Sequence, residues 1–259
     1  MVATTRGAVA RRRLGVQLLD LHAVVLQCMT EFMVGRDFAA FARSCIACRD
    51  AAAGGVQAVV LNEVVRRLKA GKGVGDAICA KRSALVVPAG VTSIGDCAFV
   101  ACTSLTSIVL PVGMTSVGQG AFKYCTSLAS IVLPAGLTSV GAGAFRRCTS
   151  LASIVLPAGL TSVGDAAFVC ASLTAITIPD GVATIEDGTF AFCKALASVT
   201  LPANLTTINS WAFSACYALK SIALPESVTT IHKFAFRACT ALDAPSRERI
   251  LAVCPDAVI

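Results

Sequence analysis

Residues 105–127 read LTSIVLPVGMTSVGQGAFKYCTS, and the chain then repeats this pattern in close copies. The next two stretches are LASIVLPAGLTSVGAGAFRRCTS (128–150) and LASIVLPAGLTSVGDAAFVCAS (151–172). Proline recurs every 22 or 23 residues, at Pro88, Pro111, Pro134, Pro157, Pro179, Pro202 and Pro225. A fixed period of this length indicates a repeat architecture, so the repeat unit decides the fold.

Cysteine and phenylalanine recur in step with the prolines. The cysteines are Cys102, Cys125, Cys148, Cys170, Cys193, Cys216 and Cys239. A phenylalanine precedes six of them by three residues, at Phe99, Phe122, Phe145, Phe190, Phe213 and Phe236. Phe168 is two residues from Cys170, which predicts that a one-residue deletion falls between them. We expect the phenylalanines and cysteines to be core residues, and the thiols to be reduced.

Each repeat is predicted to form one turn of a coil. Ile108 and Leu110 alternate with outward residues at strand periodicity. A second apolar pair, Met114 and Val117, precedes a glycine and an inward Ala–Phe pair. A lone turn buries too little apolar surface to offset its ordering entropy, so the turns must stack. The predicted fold class is an α+β repeat protein, a solenoid with parallel strands preceded by a small three-helix N-terminal domain.

The repeat resembles the surface-antigen type (type 5) of leucine-rich repeat. That family repeats I-x-I-P, V-x-x-I-G, A-F and C at 23-residue intervals, and the match covers residues 84–243. The resemblance implies a leucine-rich-repeat solenoid with a parallel sheet on one face. It implies no enzymatic activity, because members are typically binding or surface proteins.

The segments outside the array differ from it in composition. We predict a basic flexible tail at 1–13, a helical domain at 14–70 and a linker or N-terminal cap at 71–83. About seven repeats of 23 residues follow at 84–243. Residues 244–259 are predicted to be a C-terminal helical cap, with Ser246 as its N-cap and with Ile250 and Leu251 facing inward.

The stretch VVLQCMTEFMVGRDFAAFARSCIACRD, within residues 18–52, resembles an F-box. Phe32-Met33 matches the family's Phe-Leu, Arg36-Asp37-Phe38 its Arg-Asp-Leu, Ala42 its alanine, Cys45 its cysteine and Arg49 the arginine after its tryptophan. Cys48 replaces that tryptophan, and Asp20-Leu21 replaces the opening Leu-Pro. The resemblance implies docking to the small adaptor subunit of a cullin-based ubiquitin ligase. The residues implied in that contact are Val25, Met29, Phe32, Met33, Phe38 and Phe41.

The net charge of +7 lies wholly in the N-terminal third. Residues 1–83 carry thirteen Lys and Arg against six Asp and Glu, whereas residues 84–259 carry nine of each. The repeats therefore lack the basic surface that nucleic acid requires. No apolar run is long enough for a membrane helix, so we expect no membrane partner and a cytoplasmic or nuclear location. An organelle transit segment and a cell-surface location remain open alternatives.

Candidate chemistry in the sequence is sparse. Cys45 and Cys48 form a single CxxC, and residues 70–77, AGKGVGDA, lack the Lys-Ser/Thr of a phosphate loop. Of the two histidines, His22 lies in the helical head and His232 replaces the usual glycine of its repeat. No triad, paired carboxylates or metal cluster is evident, so we predict no catalysis, no metal and no cofactor.

Two rows of outward residues could contact a partner. The strand row, including Ser107, Val109, Val132 and Val155, has neither charge nor aromatic rings. A second set near the Phe–Cys segment supplies both kinds of group. Its predicted partner-binding residues are Lys123, Tyr124, Arg146, Arg147, Phe192, Trp211, Tyr217 and Arg237. Solubility and packing would also account for these residues.

Two functions follow as hypotheses. The first is a non-enzymatic protein–protein interaction scaffold, an F-box-like adaptor that recruits a substrate of a cullin-type ubiquitin ligase through its repeats. The alternative is a surface or adhesion leucine-rich-repeat protein with no ligase role. The partner in either case is a protein.

Overall fold

The computed structural model describes residues 83–87 and 89–259. These residues form stacked turns, most of them built from two short strands and an irregular turn. The strands are β1 (Ala84–Val86), β2 (Ser93–Ile94), β3 (Ser107–Val109), β4 (Ser116–Val117), β5 (Ser130–Ile131), β6 (Ser139–Val140), β7 (Ser162–Val163), β8 (Ala175–Thr177), β9 (Thr184–Ile185), β10 (Ser198–Thr200), β11 (Thr207–Ile208) and β12 (Thr230–Ile231). All named pairs are parallel, which confirms the predicted parallel-strand solenoid.

The strands stack in two rows. The first row contains β1, β3 and β5, an isolated bridge from Val132 to Val155, and the pair β8–β10. The second row contains β2, β4, β6 and β7, followed by β9, β11 and β12. Paired residues are 23 positions apart, as in Ile108 against Ile131 and Ile208 against Ile185. The second row consists of two-residue strands that the sequence analysis treated only as an apolar pair.

The core is a column of phenylalanine rings along the array. Phe99, Phe122, Phe145, Phe168, Phe190, Phe213 and Phe236 are all buried. Neighbouring rings stack with centroids 5.2 to 5.5 Å apart and planes within 11° of parallel. Predicted inward residues such as Ile108, Leu110, Met114 and Val117 surround this column and are also buried. Each turn therefore buries its apolar face against the next turn, as the repeat pattern predicts.

The buried cysteines also connect successive turns. The Cys148 thiol donates to the Phe122 carbonyl at 3.2 Å, and Cys125 donates to the Phe99 carbonyl at 3.1 Å. Cys193, Cys216 and Cys239 repeat this contact. Cys102 is disulfide-bonded, so the prediction of reduced thiols is wrong at that residue.

The one-residue deletion does not lie where the sequence analysis placed it. Ala171 is buried and its N–H donates to the Phe168 carbonyl, the bond that the cysteine makes in other turns. Cys170 is only half-buried and takes the position of Tyr124 and Arg147. The deletion therefore falls between Ala171 and Leu173. The sequence did not reveal this shift, because Cys170 lies next to the expected cysteine position. Ala171 can fill that position, since alanine and cysteine are both small apolar residues.

Both strand rows are interrupted at the deletion. No pairing joins β7 to β9, or the 153–156 segment to β8, within the described residues. The irregular turns remain connected there, because the Phe168 N–H donates to the Thr189 carbonyl at 2.9 Å. The Phe168 and Phe190 rings also stay stacked at 5.5 Å. The phenylalanine column thus maintains the stack where the strand ladder does not.

A column of glycines marks a close approach of adjacent turns. A Cβ atom on Gly141 would lie 2.6 Å from the Gln119 backbone nitrogen, and one on Gly118 would lie 2.6 Å from the Asp96 carboxylate. A Cβ atom on Gly164 would lie 2.6 Å from the Ala142 backbone nitrogen. Beyond the deletion the column continues as Glu186, Asn209 and His232. There the Asn209 side-chain amide donates to the Glu186 carboxylate at 2.8 Å.

We expect Gly141→Ala to destabilise the array by about 1–3 kcal/mol, because the added methyl group overlaps backbone atoms of the preceding turn. Gly113→Ala is the matched control, since a Cβ atom there meets nothing within 4 Å. Urea denaturation followed by circular dichroism measures both free energies of unfolding. Equal stability of the two variants would show that adjacent turns are not in contact at Gly141.

The array ends in one helix, α1 (Ala244–Val253). Its N-cap is Asp243, whose carboxylate accepts from the Ser246 N–H at 3.0 Å, so the prediction of Ser246 as N-cap is wrong. Pro245 in the first turn starts the helix earlier than the sequence analysis allowed. Ser246 is buried and bonds the Ile222 backbone instead. Ile250 is buried as predicted, whereas Leu251 is exposed and that prediction is wrong.

Candidate functional site

The surface with exposed aromatic and cationic groups lies along one edge of the stacked turns. We call it the turn edge, and it comprises residues 97–104, 120–127, 143–150, 166–172, 188–195, 211–218 and 234–241. Its backbone N–H groups donate to the next turn, as Tyr124 does to the Arg146 carbonyl at 2.8 Å. It contains five Lys or Arg residues and no Asp or Glu. All eight predicted partner-binding residues belong to it.

Four of those eight residues form the tyrosine cluster, which comprises Lys123, Tyr124, Arg146 and Arg147. The Lys123 amine lies 5.2 Å from the Tyr124 ring centroid, and the Arg147 guanidinium carbon lies 5.6 Å from it. Arg146 occupies the position of Lys123 one turn further along. Tyr124 and Arg147 are exposed, whereas Lys123 and Arg146 are half-buried. Two adjacent turns thus place Lys123 and Arg147 against one exposed ring, and Arg146 precedes Arg147 in the chain.

A second group, the tryptophan cluster, comprises Trp211, Lys233, Phe234 and Arg237. The Trp211 and Phe234 rings stack with centroids 5.0 Å apart. Arg237 lies 5.2 Å from the Trp211 centroid, and Lys233 lies 5.8 Å from that of Phe234. The sequence analysis named Trp211 and Arg237 but missed Lys233 and Phe234. The sequence did contain a signal for them. Phe234 follows Trp211 by 23 residues and Lys233 follows it by 22, and such offsets place residues on neighbouring turns.

The two remaining predicted residues lie between these clusters. Phe192 and Tyr217 are exposed, at 48% and 45% of their full surface. Phe192 occupies the position of Tyr124, whereas Tyr217 occupies the position of Thr126. The turn edge therefore brings the eight residues onto one side of the array. Six of them belong to the two clusters, and Phe192 and Tyr217 lie between the clusters.

The backbone of the turn edge is left-handed at two positions of most turns. Tyr124, Arg147 and Phe192 have φ angles of 65°, 62° and 60°. Their equivalents include Ala101 and Ala238, so this conformation belongs to the repeat and is no sign of function. Trp211 has a φ of 62° at the other left-handed position, which is glycine at 120, 143 and 188 and also holds Cys97 and Ala166. Glycine suits this conformation best, so Trp211 is a bulky residue at a position that favours small ones.

The strand row offers a contrasting surface. Val155 is 79% exposed, and Ser153, Ala175 and Thr177 beside it are also exposed. The row has no charged or aromatic side chain, as the sequence predicts. Such residues contribute little anchoring energy in protein interfaces.

The buried thiols are poorly suited to chemistry. Burial raises the pKa of Cys125 and Cys193 to about 12 and that of Cys239 to about 11. A neutral thiol is neither a good nucleophile nor a metal ligand. Within residues 83–87 and 89–259, no three His, Cys, Asp or Glu side chains group as metal ligands would. The described part of the chain likewise contains no helix with the length and apolar character of a membrane span.

The predictions for the N-terminal head fall outside the described residues. They include the three-helix domain at 14–70, the F-box-like motif, the CxxC of Cys45 and Cys48, and the segment 70–77. The implied adaptor contacts, Val25, Met29, Phe32, Met33, Phe38 and Phe41, also lie there. They remain predictions from sequence.

The repeat pattern matches the BspA type leucine rich repeat region over residues 77–174 and 161–246, in six copies. The chain belongs to the BspA-type leucine-rich-repeat family. This family assignment supports the predicted surface-antigen type of repeat. No curated protein sequence matches the chain. Leucine-rich repeats generally mediate protein–protein binding.

Several crystal structures of leucine-rich-repeat proteins resemble this BspA-type array. The T. pallidum leucine rich repeat protein is 34% identical, with a TM-score of 0.65, over 68% of this chain and 87% of that one. A Bacteroides ovatus leucine-rich repeat protein is 36% identical, with a TM-score of 0.61, over 62% of this chain and 44% of that one. A leucine rich cell surface protein of Faecalibacterium prausnitzii is 32% identical, with a TM-score of 0.58, over 62% of this chain and 46% of that one. The chain thus spans less than half of the last two proteins.

Proposed function

We propose that the chain is a non-enzymatic protein-interaction scaffold of the surface type, and that it contacts its partner through the turn edge. The observation that carries this proposal is the concentration of exposed rings and cations on that edge. Aromatic residues and arginine dominate binding energy in protein interfaces. The strand row lacks both kinds of residue, and the buried thiols have raised pKa values.

The surface location is supported by similarity. The F. prausnitzii relative is described as a cell surface protein and is 32% identical to this chain. Among the two functions predicted from sequence, the surface scaffold therefore agrees better with the comparisons than the ligase adaptor does. Labelling intact source cells with a membrane-impermeant biotin reagent tests the location. Labelling only after lysis would contradict it.

We expect the turn edge to determine which proteins the full chain captures from source-cell extracts. The edge variant combines Tyr124→Ser, Phe192→Ala and Trp211→Gly, since glycine suits the left-handed position of Trp211. The matched control combines Val132→Thr and Val155→Thr on the strand row. Quantitative mass spectrometry should show at least about a tenfold loss of specific partners for the edge variant, because hot-spot residues contribute about 2 kcal/mol or more. Loss only with the strand-row variant would contradict the proposal.

A further inference from the structure

The tyrosine cluster lies in a part of the array that has no acidic residues. Repeats 105–127 and 128–150 contain three charged residues, Lys123, Arg146 and Arg147, and all are basic. The nearest acids along the chain, Asp96 and Asp165, belong to the flanking repeats. The array as a whole carries nine basic and nine acidic residues from 84 to 259, so this local excess is not a consequence of overall charge.

The part of the chain that the structure describes shows no ion pair to the cations of this cluster. Among the described residues, the ion pair present is that of Lys233 with Asp256 at 3.9 Å, far from the cluster in sequence. The buried Nε–H of Arg146 also has no hydrogen-bond partner in the structure. Lys123 and Arg147 pack on the Tyr124 ring, which holds the charges at the surface without neutralising them. Three cations are therefore available to an external anion.

The cluster is narrow. The turn edges on either side, 97–104 and 166–172, contain no charged side chain. The charge thus spans two turns, whose phenylalanine rings are 5.4 Å apart. A long polyanion such as nucleic acid needs basic groups along an extended stripe. Carboxylates on one face of an extended peptide repeat about every 7 Å, so about two of them fit this width.

We propose that the tyrosine cluster binds a short acidic segment of a partner protein. This inference rests on the proposed function and names the chemistry of the partner at the same edge. The arginines pair with carboxylates through their planar donor groups. The exposed Tyr124 ring packs against the aliphatic carbons of the bound segment. This adds the aromatic contact typical of interface anchors.

The test uses the full chain and a fluorescein-labelled peptide with six glutamates between Gly-Ser flanks, with binding followed by fluorescence anisotropy. One variant combines Lys123→Gln, Arg146→Gln and Arg147→Gln. The matched control removes the same charge elsewhere, through Arg12→Gln, Lys220→Gln and Arg249→Gln. Arg147→Glu alone is the second variant, because this exposed side chain can be changed with little risk to folding. Circular dichroism melts verify that each variant is folded.

We expect the cluster variant to weaken peptide binding at least about tenfold and the control to change it less than about threefold. Arg147→Glu should also weaken peptide binding. Raising NaCl from 50 to 500 mM should weaken peptide binding by the wild-type protein. Equal effects of the two triple variants, or no peptide binding, would overturn the inference. Heparin binding that depends on the cluster, without peptide binding, would overturn it in favour of a polysaccharide. Capture of a partner through other turn-edge residues would leave the proposed function intact in each case.

Discussion

Phe145→Ala should lower the free energy of unfolding by about 3–5 kcal/mol. The Phe145 ring is fully buried and stacks between Phe122 and Phe168, with centroids 5.4 Å away on both sides. Its removal leaves a cavity in the centre of the array and breaks two ring contacts. Since neighbouring turns stabilise one another, the substitution weakens packing against both the preceding and the following turn.

Phe192→Ala is the control for this experiment, because Phe192 is half-exposed and lies outside the ring column. We expect it to change stability by less than about 1 kcal/mol. Urea denaturation of the two variants and the wild type gives the comparison. A Phe145→Ala effect below 1 kcal/mol would show that the rings do not form the core.

The second large effect is a steep loss of stability at alkaline pH. Burial raises the pKa of Cys125 and Cys193 from 9.0 to about 12 and that of Cys239 to about 11. The pKa values of Cys148 and Cys216 are also raised well above the usual range by burial. These folded-state pKa values exceed the unfolded ones, so the stability they contribute is complete below pH 9 and is lost as pH rises towards 11 and 12.

Each such thiol should reduce stability by roughly 1 kcal/mol per pH unit above its unfolded pKa, so the five thiols together should remove several kcal/mol between pH 8 and pH 10. Urea denaturation under reducing conditions at both pH values measures this difference. A variant combining Cys125→Ala, Cys193→Ala and Cys239→Ala is the control, and its pH dependence should be about two fifths of the wild-type one. A wild-type change below about 2 kcal/mol would contradict the burial of neutral thiols.

The sequence predicted the solenoid and its core because the repeat ties residue position to burial. A phenylalanine that recurs with the turns has the same surroundings in every turn, so one repeat explains Phe145 as well as Phe213. This reasoning misplaced the deletion. Cys170 is the residue type expected at the buried cysteine position, but Ala171 occupies that position. The cap at Asp243 was missed because a second capping residue, Ser246, follows three positions later.

The candidate site was predictable in composition but not in arrangement. Lys123, Tyr124 and Arg147 could be named from sequence as exposed and variable. Their packing around one ring depends on the left-handed turn and on the distance between turns. The stack of Trp211 on Phe234 depends on the same spacing. Two neighbouring turns must be in place before such contacts can be recognised.

Hydroxyl-radical footprinting of the full chain, with and without its captured partner, tests most directly whether the turn edge is the binding surface. Aromatic side chains report strongly in this measurement, so Tyr124, Phe192, Trp211 and Tyr217 serve as probes of the edge. The exposed Val155 on the strand row is the internal control. We expect the partner to reduce oxidation of Tyr124 and of at least one other ring while Val155 stays unchanged. Protection of Val155 with unchanged oxidation of the four rings would contradict the account.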